Sequence, residues 1–437
     1  MTKLFRVLRS PAFIVAVALA VRLGAIFYQR TYLLPPVRDH IFFGFEMGRI
    51  ARSIATGQGF SSPYDAPTGP TAVAGPIYPY LLAGVFKLFG IYTDKSAIVI
   101  LSLDSLFSAL TCLTAFLIGR EIFGPSVGVW AGWVWAFFPY AIWFAAHLIW
   151  ETNLSAFLLS LIFLLTLRLE SSTNPWEWVG FGLLWGLTTL VNTTLVLFFP
   201  ISLGWLYFRR RRLGLQSARP AGAVVFALIA SVVPWLAHNY IVFGRFVFRD
   251  NFALELYQGN REGATSLVEH RYHPLRDPAE MAEYRRSGEL AYMARKRNQA
   301  IQYIVDHPWS FAARSAGRWV AYYWTGTKDP LLNNCLVGRY RRQKVLLYML
   351  VAALSTIGIL IAHHDRKTEA SLFAALLLVF PAPYFITHVH ARFRHTLEPE
   401  MVVLGVYAVM KVLSALAPKL SPKHAKSECP APIAVPS

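Results

Sequence analysis

The sequence predicts an all-α integral membrane protein with about ten transmembrane helices. Of its 437 residues, 55% are hydrophobic and only 15% are charged, and the mean hydropathy is +0.42. A soluble chain of this length would have roughly a quarter of its residues charged. The apolar residues also occur in successive blocks of about 18 residues with few charges, which is the length that a membrane-spanning helix needs.

Ten blocks are candidates for spanning helices. The first, at about 11–28, has no small-residue cleavage site, so we interpret it as a retained helix rather than a signal peptide. The other nine lie near residues 97–119, 126–143, 152–168, 177–191, 194–208, 221–237, 344–362, 370–387 and 400–416. Two amphipathic segments between the first and second spans, DHIFFGFEMGRIARSIATG and IYPYLLAGVFKLFG, are predicted to be interfacial helices.

Separate basic clusters predict one orientation of these helices. Lys3, Arg6 and Arg9 precede the first span, RRRR at 209–212 follows the sixth, and HHDRK at 363–367 follows the eighth. Because basic residues accumulate in cytoplasmic loops, we expect both termini to be cytoplasmic. The protein is therefore predicted to be a multi-pass protein of the inner (plasma) membrane.

This orientation divides the chain into four parts. Residues 1–237 contain helices one to seven and a first extracytoplasmic loop, 29–96, which is predicted to be catalytic. Residues 238–342 form a large, mostly helical extracytoplasmic loop domain, and residues 343–418 contain helices eight to ten. The proline-rich residues 419–437 are predicted to be a disordered cytoplasmic tail.

The formal net charge of +18 is explained by the position of basic residues near the membrane. Lysine and arginine gather in cytoplasmic loops and at anionic lipid surfaces, so membrane lipids are expected partners. No basic stripe with interleaved aromatic residues predicts a nucleic-acid partner. The sequence contains neither CxxC nor HExxH, so it predicts no metal-ligand residues, although a divalent cation remains open as a cofactor.

Acidic residues near the predicted outer membrane boundary are candidates for catalysis. Glu46 lies on the first amphipathic segment, and Glu151 lies in the turn before the fourth span. A partly buried carboxylate at such a boundary can serve as a general base. Two structural alternatives stay open: Glu46 pairs with Arg49 or Arg52, and Glu151 caps a helix. Asp104, inside the second span, is expected to pair with Arg22 or hydrogen-bond a neighbouring helix.

The turn HVHARFRHTLEPE contains the highest density of charged and histidine side chains in the sequence. Arg392, Arg394 and His395 lie within it, and arginine binds phosphate with a permanent charge and two parallel donors. We therefore expect these three residues to bind an anionic substrate group. The alternative is that the arginines bind lipid headgroups.

Several segments together resemble a known family of enzymes. They are EMGRIARSIATGQGF, TGPTAVAGPIYPYLLAGVFKLFG, WLAHNYIVFGRFVFRDNFALELYQGN, DHPWSFAARSAGRWVAYYW and ARFRHTLEP. In order and placement, from about Arg38 to Met410, they resemble bacterial glycosyltransferases of the GT-C structural class related to glycosyltransferase family 39. That family includes protein mannosyltransferases and lipid A aminoarabinose transferases.

The resemblance implies an enzyme that takes a sugar from a polyprenyl phosphate and passes it to an acceptor on the extracytoplasmic face. It implies an acidic base in the first loop, which Glu46 fits, and a second acid at the start of a later span, which Glu151 fits. Many relatives have an Asp-Glu pair where this chain has Phe42, Phe43 and Gly44. Asp39 lies further upstream, so the resemblance leaves either Asp39 or Glu46 as the base.

We interpret the chain as an inverting glycosyltransferase that uses a polyprenyl-phosphate-linked sugar donor and an unknown acceptor. Arg49, Arg52 and Tyr78, in the same first loop, are expected to bind substrate. The main alternative is a transporter or flippase of lipid-linked or polar substrates. That alternative predicts charged residues near mid-membrane and two related halves, whereas the acids here concentrate at the outer boundary. A third class is a non-catalytic scaffold that binds a partner through the loop domain.

Overall fold

A computed structural model of the chain describes residues 2–34, 43–64, 67–265, 272–325 and 341–420. Within these ranges the chain is helical and forms no β-strand, and its one extended pairing is an isolated bridge between Ser61 and Pro70. The predicted all-α class is therefore confirmed. From residue 421 onward, the predicted tail lies outside the described residues.

All ten segments predicted to span the membrane are helical. The corresponding helices are Pro11–Gln29, Asp94–Phe123, Pro125–Ala136 with Pro139–His147, Thr152–Arg168, Pro175–Val191, Phe199–Arg212, Ala218–Phe243, Arg341–His364, Ala370–Val379 with Ala382–Ile386, and Glu398–Leu420. A short helix, Thr2–Leu8, precedes them, and a 3₁₀ helix, Thr193–Phe198, leads into Phe199–Arg212. Prolines accompany the two interruptions, as expected from the missing amide and the ring of this residue.

Helix length alone gives fewer membrane crossings than the sequence pattern predicts. Among the described residues, five helices are long and apolar enough to cross a membrane, or six if the pair bent by 45° around residues 137–138 is one span. Other helices, such as Thr152–Arg168, are apolar but shorter. The chain is thus a multi-pass membrane protein, while the count of ten stays a prediction.

Glycines allow the closest helix pairs to approach. A Cβ atom on Gly128 would lie 2.6 Å from the carbonyl oxygen of Phe116. A Cβ on Gly182 would lie 2.5 Å from the carbonyl oxygen of Val224 on the neighbouring helix. Small residues at such contacts are typical of membrane helix packing, where van der Waals contact replaces the hydrophobic effect between helices.

The segments outside the bundle are also helical. The two predicted interfacial helices form as Glu46–Ala55 and Ile77–Phe89 and pack on each other. Residues 245–325, which we call the loop domain, contain Phe252–Gly259, Pro278–Ser287, Glu289–Asp306, Pro308–Val320 and a π-helix, Ala321–Thr325.

The loop domain docks on the first loop through a buried carboxyl group. Glu289 accepts hydrogen bonds from the Thr71 hydroxyl and the Ala72 amide, both at 2.5 Å. The Arg249 Nε atom donates to the carbonyl oxygen of Val73 at 2.9 Å. A buried carboxyl group with its hydrogen bonds satisfied restrains the groups that donate to it. These contacts therefore hold the loop domain and the first loop in a defined relative position.

The opposite end of the bundle carries the predicted cytoplasmic charges. There Arg168 pairs with Glu121 at 2.5 Å, and Arg209 pairs with Glu170 at 2.7 Å. The 363–367 cluster lies at this end as well, because Phe123 stacks on Tyr407, whose hydroxyl donates to Asp365. Two of the basic clusters that predicted the orientation therefore share one end of the molecule.

Candidate active site

A strained turn positions Glu46 at the start of a helix. Phe45, which precedes it, has a φ of 54°, and Gly44 has a φ of 92°. Such values are unfavourable for a bulky residue like phenylalanine, and strain of this kind clusters at functional sites. Gly48 permits the turn, because a Cβ atom there would lie 1.9 Å from the carbonyl oxygen of Phe43. The carboxylate thus starts a ten-residue helix, where the helix dipole stabilises negative charge.

Glu46 contacts a histidine of the loop domain. The Oε1 atom of Glu46 lies 3.2 Å from Nε2 of His273, whose side chain is only 5% exposed. The ring of Tyr64 packs edge-on against this imidazole, with the ring centres 5.4 Å apart, and that of Phe45 lies at 5.8 Å. Glu46 therefore contacts His273, while a pairing with Arg49 or Arg52 stays open.

Glu151 occupies the turn between the third and fourth predicted spans. It stands at the N-cap position of Thr152–Arg168, but its side chain makes no capping hydrogen bond, and its Oε2 atom is buried without a hydrogen-bond partner among the described residues. Burial raises its pKa, while the nearby Arg392 and Arg249 act to lower it and Glu46 adds to the increase. Glu151 thus has the position that the capping alternative requires but not its hydrogen bond, and Arg392 and Arg249 lie within electrostatic range of its carboxyl group.

Arg392 faces the same region from the last turn. Its guanidinium lies 3.9 Å from the centre of the Trp150 ring and 5.1 Å from that of Phe393. Its backbone amide donates to Nδ1 of His390, and its Nε atom is buried with no hydrogen-bond partner in the described part of the chain. Stacking on tryptophan fixes the plane of a guanidinium and leaves its edge for an anion.

A second acid–histidine contact lies beside Arg392. Nδ1 of His388 is 3.4 Å from Glu255, which also accepts a hydrogen bond of 2.9 Å from the Asn251 side chain. Burial lowers the pKa of His388 to about 4, with His390 and Arg392 contributing, although Glu255 opposes the change. The imidazole is therefore neutral at pH 7.

These contacts define one group of side chains at the end of the bundle that carries the loop domain. We call it the site cluster, and its members are Glu46, Glu151, Arg249, Glu255, His273, His388 and Arg392. Carboxylates that can take a proton lie next to arginines that can hold an anion. This combination suits a displacement in which a hydroxyl loses a proton and a phosphate departs.

Arg394 and His395 are not brought to the site cluster. Arg394 is fully buried, and it donates to the carbonyl oxygens of Tyr323 at 2.8 Å and Tyr348 at 3.0 Å. His395 lies 2.7 Å from Glu398, which is also 3.5 Å from Arg394. We call Arg394, His395 and Glu398 the buried anchor. Its burial also removes these side chains from lipid headgroups, the alternative that the sequence left open.

The remaining predicted residues lie in different surroundings. Arg49 is buried, with its guanidinium 5.6 Å from the Phe45 ring, and Arg52 is partly exposed one turn later. The Tyr78 hydroxyl donates to Asp104 at 3.0 Å, which confirms the expectation that Asp104 bonds a neighbouring helix. Asp39 lies outside the described residues, so the choice between Asp39 and Glu46 stays open.

Four members of the site cluster were not named as site residues from the sequence. Arg249 and Glu255 lie in WLAHNYIVFGRFVFRDNFALELYQGN, a segment that already carried the family resemblance, and that was the available signal. His388 belongs to the dense last turn. His273 follows His270 in a polar loop, and nothing in its local pattern indicates a partner 227 positions away.

In the ranges that the structure covers, no group of three or more His, Cys, Asp or Glu side chains is placed to hold a metal ion. The divalent cation that the sequence left open therefore has no ligand set among those residues. Its role stays a prediction.

Comparison with known proteins finds a family match to part of the chain and a similar fold. A family model described as dolichyl-phosphate-mannose-protein mannosyltransferase matches residues 70–237. No curated protein matches the chain. The crystal structure of the Archaeoglobus fulgidus oligosaccharyltransferase, tethered with an acceptor peptide containing the NVT sequon via a disulfide bond, aligns with a TM-score of 0.56 and 15% identity. The alignment covers 94% of this chain and 50% of that one, so this chain spans half the length of that enzyme.

Two structures of ArnT from Cupriavidus metallidurans are also similar. With undecaprenyl phosphate bound, ArnT aligns with a TM-score of 0.40, 15% identity and coverage of 94% of this chain and 80% of that one. In the apo state the values are 0.41, 15%, 93% and 79%. These scores are too low to establish a shared fold. The family match to residues 70–237 and the similarity of fold to the oligosaccharyltransferase nevertheless agree with the resemblance to GT-C glycosyltransferases.

Proposed function

We propose that the protein is an inverting glycosyltransferase that moves a sugar from a polyprenyl phosphate to an acceptor on the extracytoplasmic face of the plasma membrane. The observation that carries this proposal is the convergence of Glu46, Glu151 and Arg392, which come from three separate segments of the chain. The family model that matches residues 70–237 describes enzymes with a lipid-linked sugar donor, which agrees with this chemistry.

The base is assigned to the first loop. Glu46 removes the proton of the acceptor hydroxyl while that oxygen bonds to the anomeric carbon of the sugar. The bond between this carbon and the phosphate oxygen breaks at the same time, and its electron pair leaves with the polyprenyl phosphate. A single displacement inverts the anomeric carbon and needs one carboxylate as base, unlike the pair of close carboxyl groups of a retaining hydrolase. Asp39 is the alternative base.

The phosphate is assigned to the arginines of the site cluster. Arg392 and Arg249 both act electrostatically on Glu151, so they lie close to the acids that handle the acceptor. Their positive charge would stabilise the phosphate as its charge grows in the transition state. In this assignment Arg394 and His395 support Arg392 from within the protein, and the substrate-binding roles of Arg49, Arg52 and Tyr78 stay predictions.

The orientation is open to a direct test. Ala282 is exposed in the loop domain and is not a member of the site cluster. We expect a cysteine at this position, in a chain whose native cysteines are replaced, to react with a membrane-impermeant reagent added outside the membrane. Reaction only from the cytoplasmic side would refute the assignment of the loop domain to the extracytoplasmic face.

The activity is tested with purified protein and a panel of radiolabelled polyprenyl-phosphate sugars, offered with protein, lipid and glycan acceptors. We expect wild-type protein to transfer one of these sugars and Glu46→Gln to transfer it far more slowly. The transporter alternative predicts movement of a lipid-linked sugar between leaflets of proteoliposomes with no transfer. That result, with no transfer across the whole panel, would overturn the proposal.

A further inference from the structure

The hydrogen bonds of His273 fix the position of its proton. The backbone amide of Leu275 donates to Nδ1 of His273 at 3.2 Å. A backbone N–H can only donate, so Nδ1 must carry no proton for this contact to exist. The neutral imidazole therefore carries its hydrogen on Nε2.

That hydrogen is directed at the proposed base. Nε2 of His273 lies 3.2 Å from Oε1 of Glu46, within the range of N–H···O hydrogen bonds. Tyr64 and Phe45 flank the imidazole, so the ring cannot turn freely. The direction of donation is thus from the loop domain to the first loop.

We infer that His273 is a positioning residue for Glu46, an inference that rests on the proposed function. Its Nε2–H holds Oε1 in place, which leaves Oε2 to take the proton of the acceptor hydroxyl. His273 keeps its own proton throughout the reaction. It cannot accept a second proton on Nδ1 without breaking the hydrogen bond from Leu275.

This role makes the loop domain part of the catalytic apparatus. Glu46 lies in the first loop, whereas His273 and Leu275 lie in the loop domain, so the base is oriented only when the two segments are docked. The contacts of Glu289 with Thr71 and Ala72 hold the same two segments together. A substrate that separated them would also release the carboxylate.

Two amide substitutions test the hydrogen bond from Leu275 and the hydrogen bond to Glu46 independently. In His273→Asn, the shorter side chain can still accept from the Leu275 amide, in the manner of an Asx turn, but it cannot reach Glu46. In His273→Gln, the longer amide places a donor near the position of Nε2. His307→Gln, at an exposed histidine of the same domain, is the matched control.

We expect His273→Asn to lower kcat by about 10²-fold, because loss of orientation at the reacting group costs roughly that much. The KM for the donor and the melting temperature should stay near the wild-type values. His273→Gln should recover most of the rate, and His307→Gln should behave as wild type. A residue with only a structural role would change the melting temperature instead.

The outcomes distinguish this inference from the proposed function. If wild-type protein transfers sugar and His273→Asn is as fast, His273 does not position the base. If both variants are equally slow while both remain folded, the donated hydrogen bond is not the cause, and the inference is overturned. If the wild type transfers no sugar from any donor, the proposed function itself fails.

Discussion

Two arginines of one short helix have opposite surroundings. Arg392 belongs to the site cluster, where its guanidinium stacks on Trp150 and its charge acts on Glu151. Arg394 belongs to the buried anchor, where its terminal nitrogens donate to the carbonyl oxygens of Tyr323 and Tyr348. Side chains two positions apart on a helix point in different directions, so one turn can supply both a site and its support.

The difference shows that residue type and density alone do not define a site. Both arginines satisfy the expectation for a phosphate-binding residue. The charge of Arg392, however, acts on Glu151, whose side chain makes no capping hydrogen bond. The contacts of Arg394 compensate its own buried charge. They are needed because a buried charge without a partner strongly destabilises the folded state. We therefore expect substitutions in the two regions to affect different measured quantities.

The largest effect on stability is expected in the buried anchor. Arg394→Ala removes one partner of the buried Glu398, whose contact with His395 remains, and it also removes the donor to the Tyr323 and Tyr348 carbonyl oxygens. Breaking a buried pair costs about 3–5 kcal/mol. Chemical or thermal unfolding in detergent should show this loss in the free energy of unfolding. If Arg394→Ala unfolds like wild type but is inactive, Arg394 belongs to the site and the comparison fails.

Arg392→Ala is expected to affect turnover instead. Loss of one charge-assisted contact to a developing negative charge lowers kcat by about 10²–10³-fold, or roughly 2.7–4 kcal/mol. Its unfolding should stay close to wild type, since Trp150 and Phe393 remain packed on other side chains. Arg392→Lys should recover only part of the rate, because the ammonium lacks the planar pair of donors. Wild-type turnover in Arg392→Ala would remove this arginine from the site.

The pH dependence of stability is expected to come partly from the site cluster. The pKa of His388 is about 4 in the folded chain, against an ordinary histidine value of 6.5, so the unfolded state binds more protons between these values. Stability is fully present above pH 6.5 and is lost as the pH falls toward 4. At roughly 1.4 kcal/mol per pKa unit, the full loss is on the order of 3 kcal/mol.

His388→Gln should reduce this loss, measured as the difference in unfolding free energy between about pH 7.5 and about pH 4.5, which bracket most of the titration. His307→Gln is the control, because its imidazole is exposed. An unchanged pH dependence in His388→Gln, relative to wild type, would contradict the neutral state assigned to this imidazole.

The smallest effect is expected at the opposite end of the bundle. Arg168 and Glu121 form an ion pair of 2.5 Å, but their side chains are 43% and 27% exposed. Exposed pairs contribute about 0–1 kcal/mol, so Arg168→Ala should change neither unfolding nor turnover appreciably. This variant is the matched control for Arg394→Ala. A loss as large as that of Arg394→Ala would show that burial does not explain the difference.

The helices were largely predictable from the sequence, because apolar runs must be helical to satisfy their backbone in lipid. The candidate site was predictable only in part. Glu46, Glu151 and Arg392 could be named because they lie in the first loop, at the start of a span and in the densest turn. Burial of Arg394 could not be predicted, since it depends on carbonyl groups of Tyr323 and Tyr348 that are distant in sequence.

His273 illustrates the remaining limit. Its contact with Glu46 depends on how the loop domain docks, and docking depends on buried contacts such as those of Glu289. A local pattern of three or four residues cannot predict a contact between residues so far apart in the sequence. The family resemblance supplied an expectation for the acids but none for this histidine.

The central claim is that Glu46 is the base of a sugar transfer. The most direct measurement is single-turnover transfer by Glu46→Gln, alongside binding of the labelled polyprenyl-phosphate sugar, with Glu283→Gln in the loop domain as control. Loss of a general base predicts a rate about 10²–10⁴-fold below wild type, with donor binding near wild type. Full turnover by Glu46→Gln would contradict the claim, and a simultaneous loss in Asp39→Asn would assign the base to Asp39.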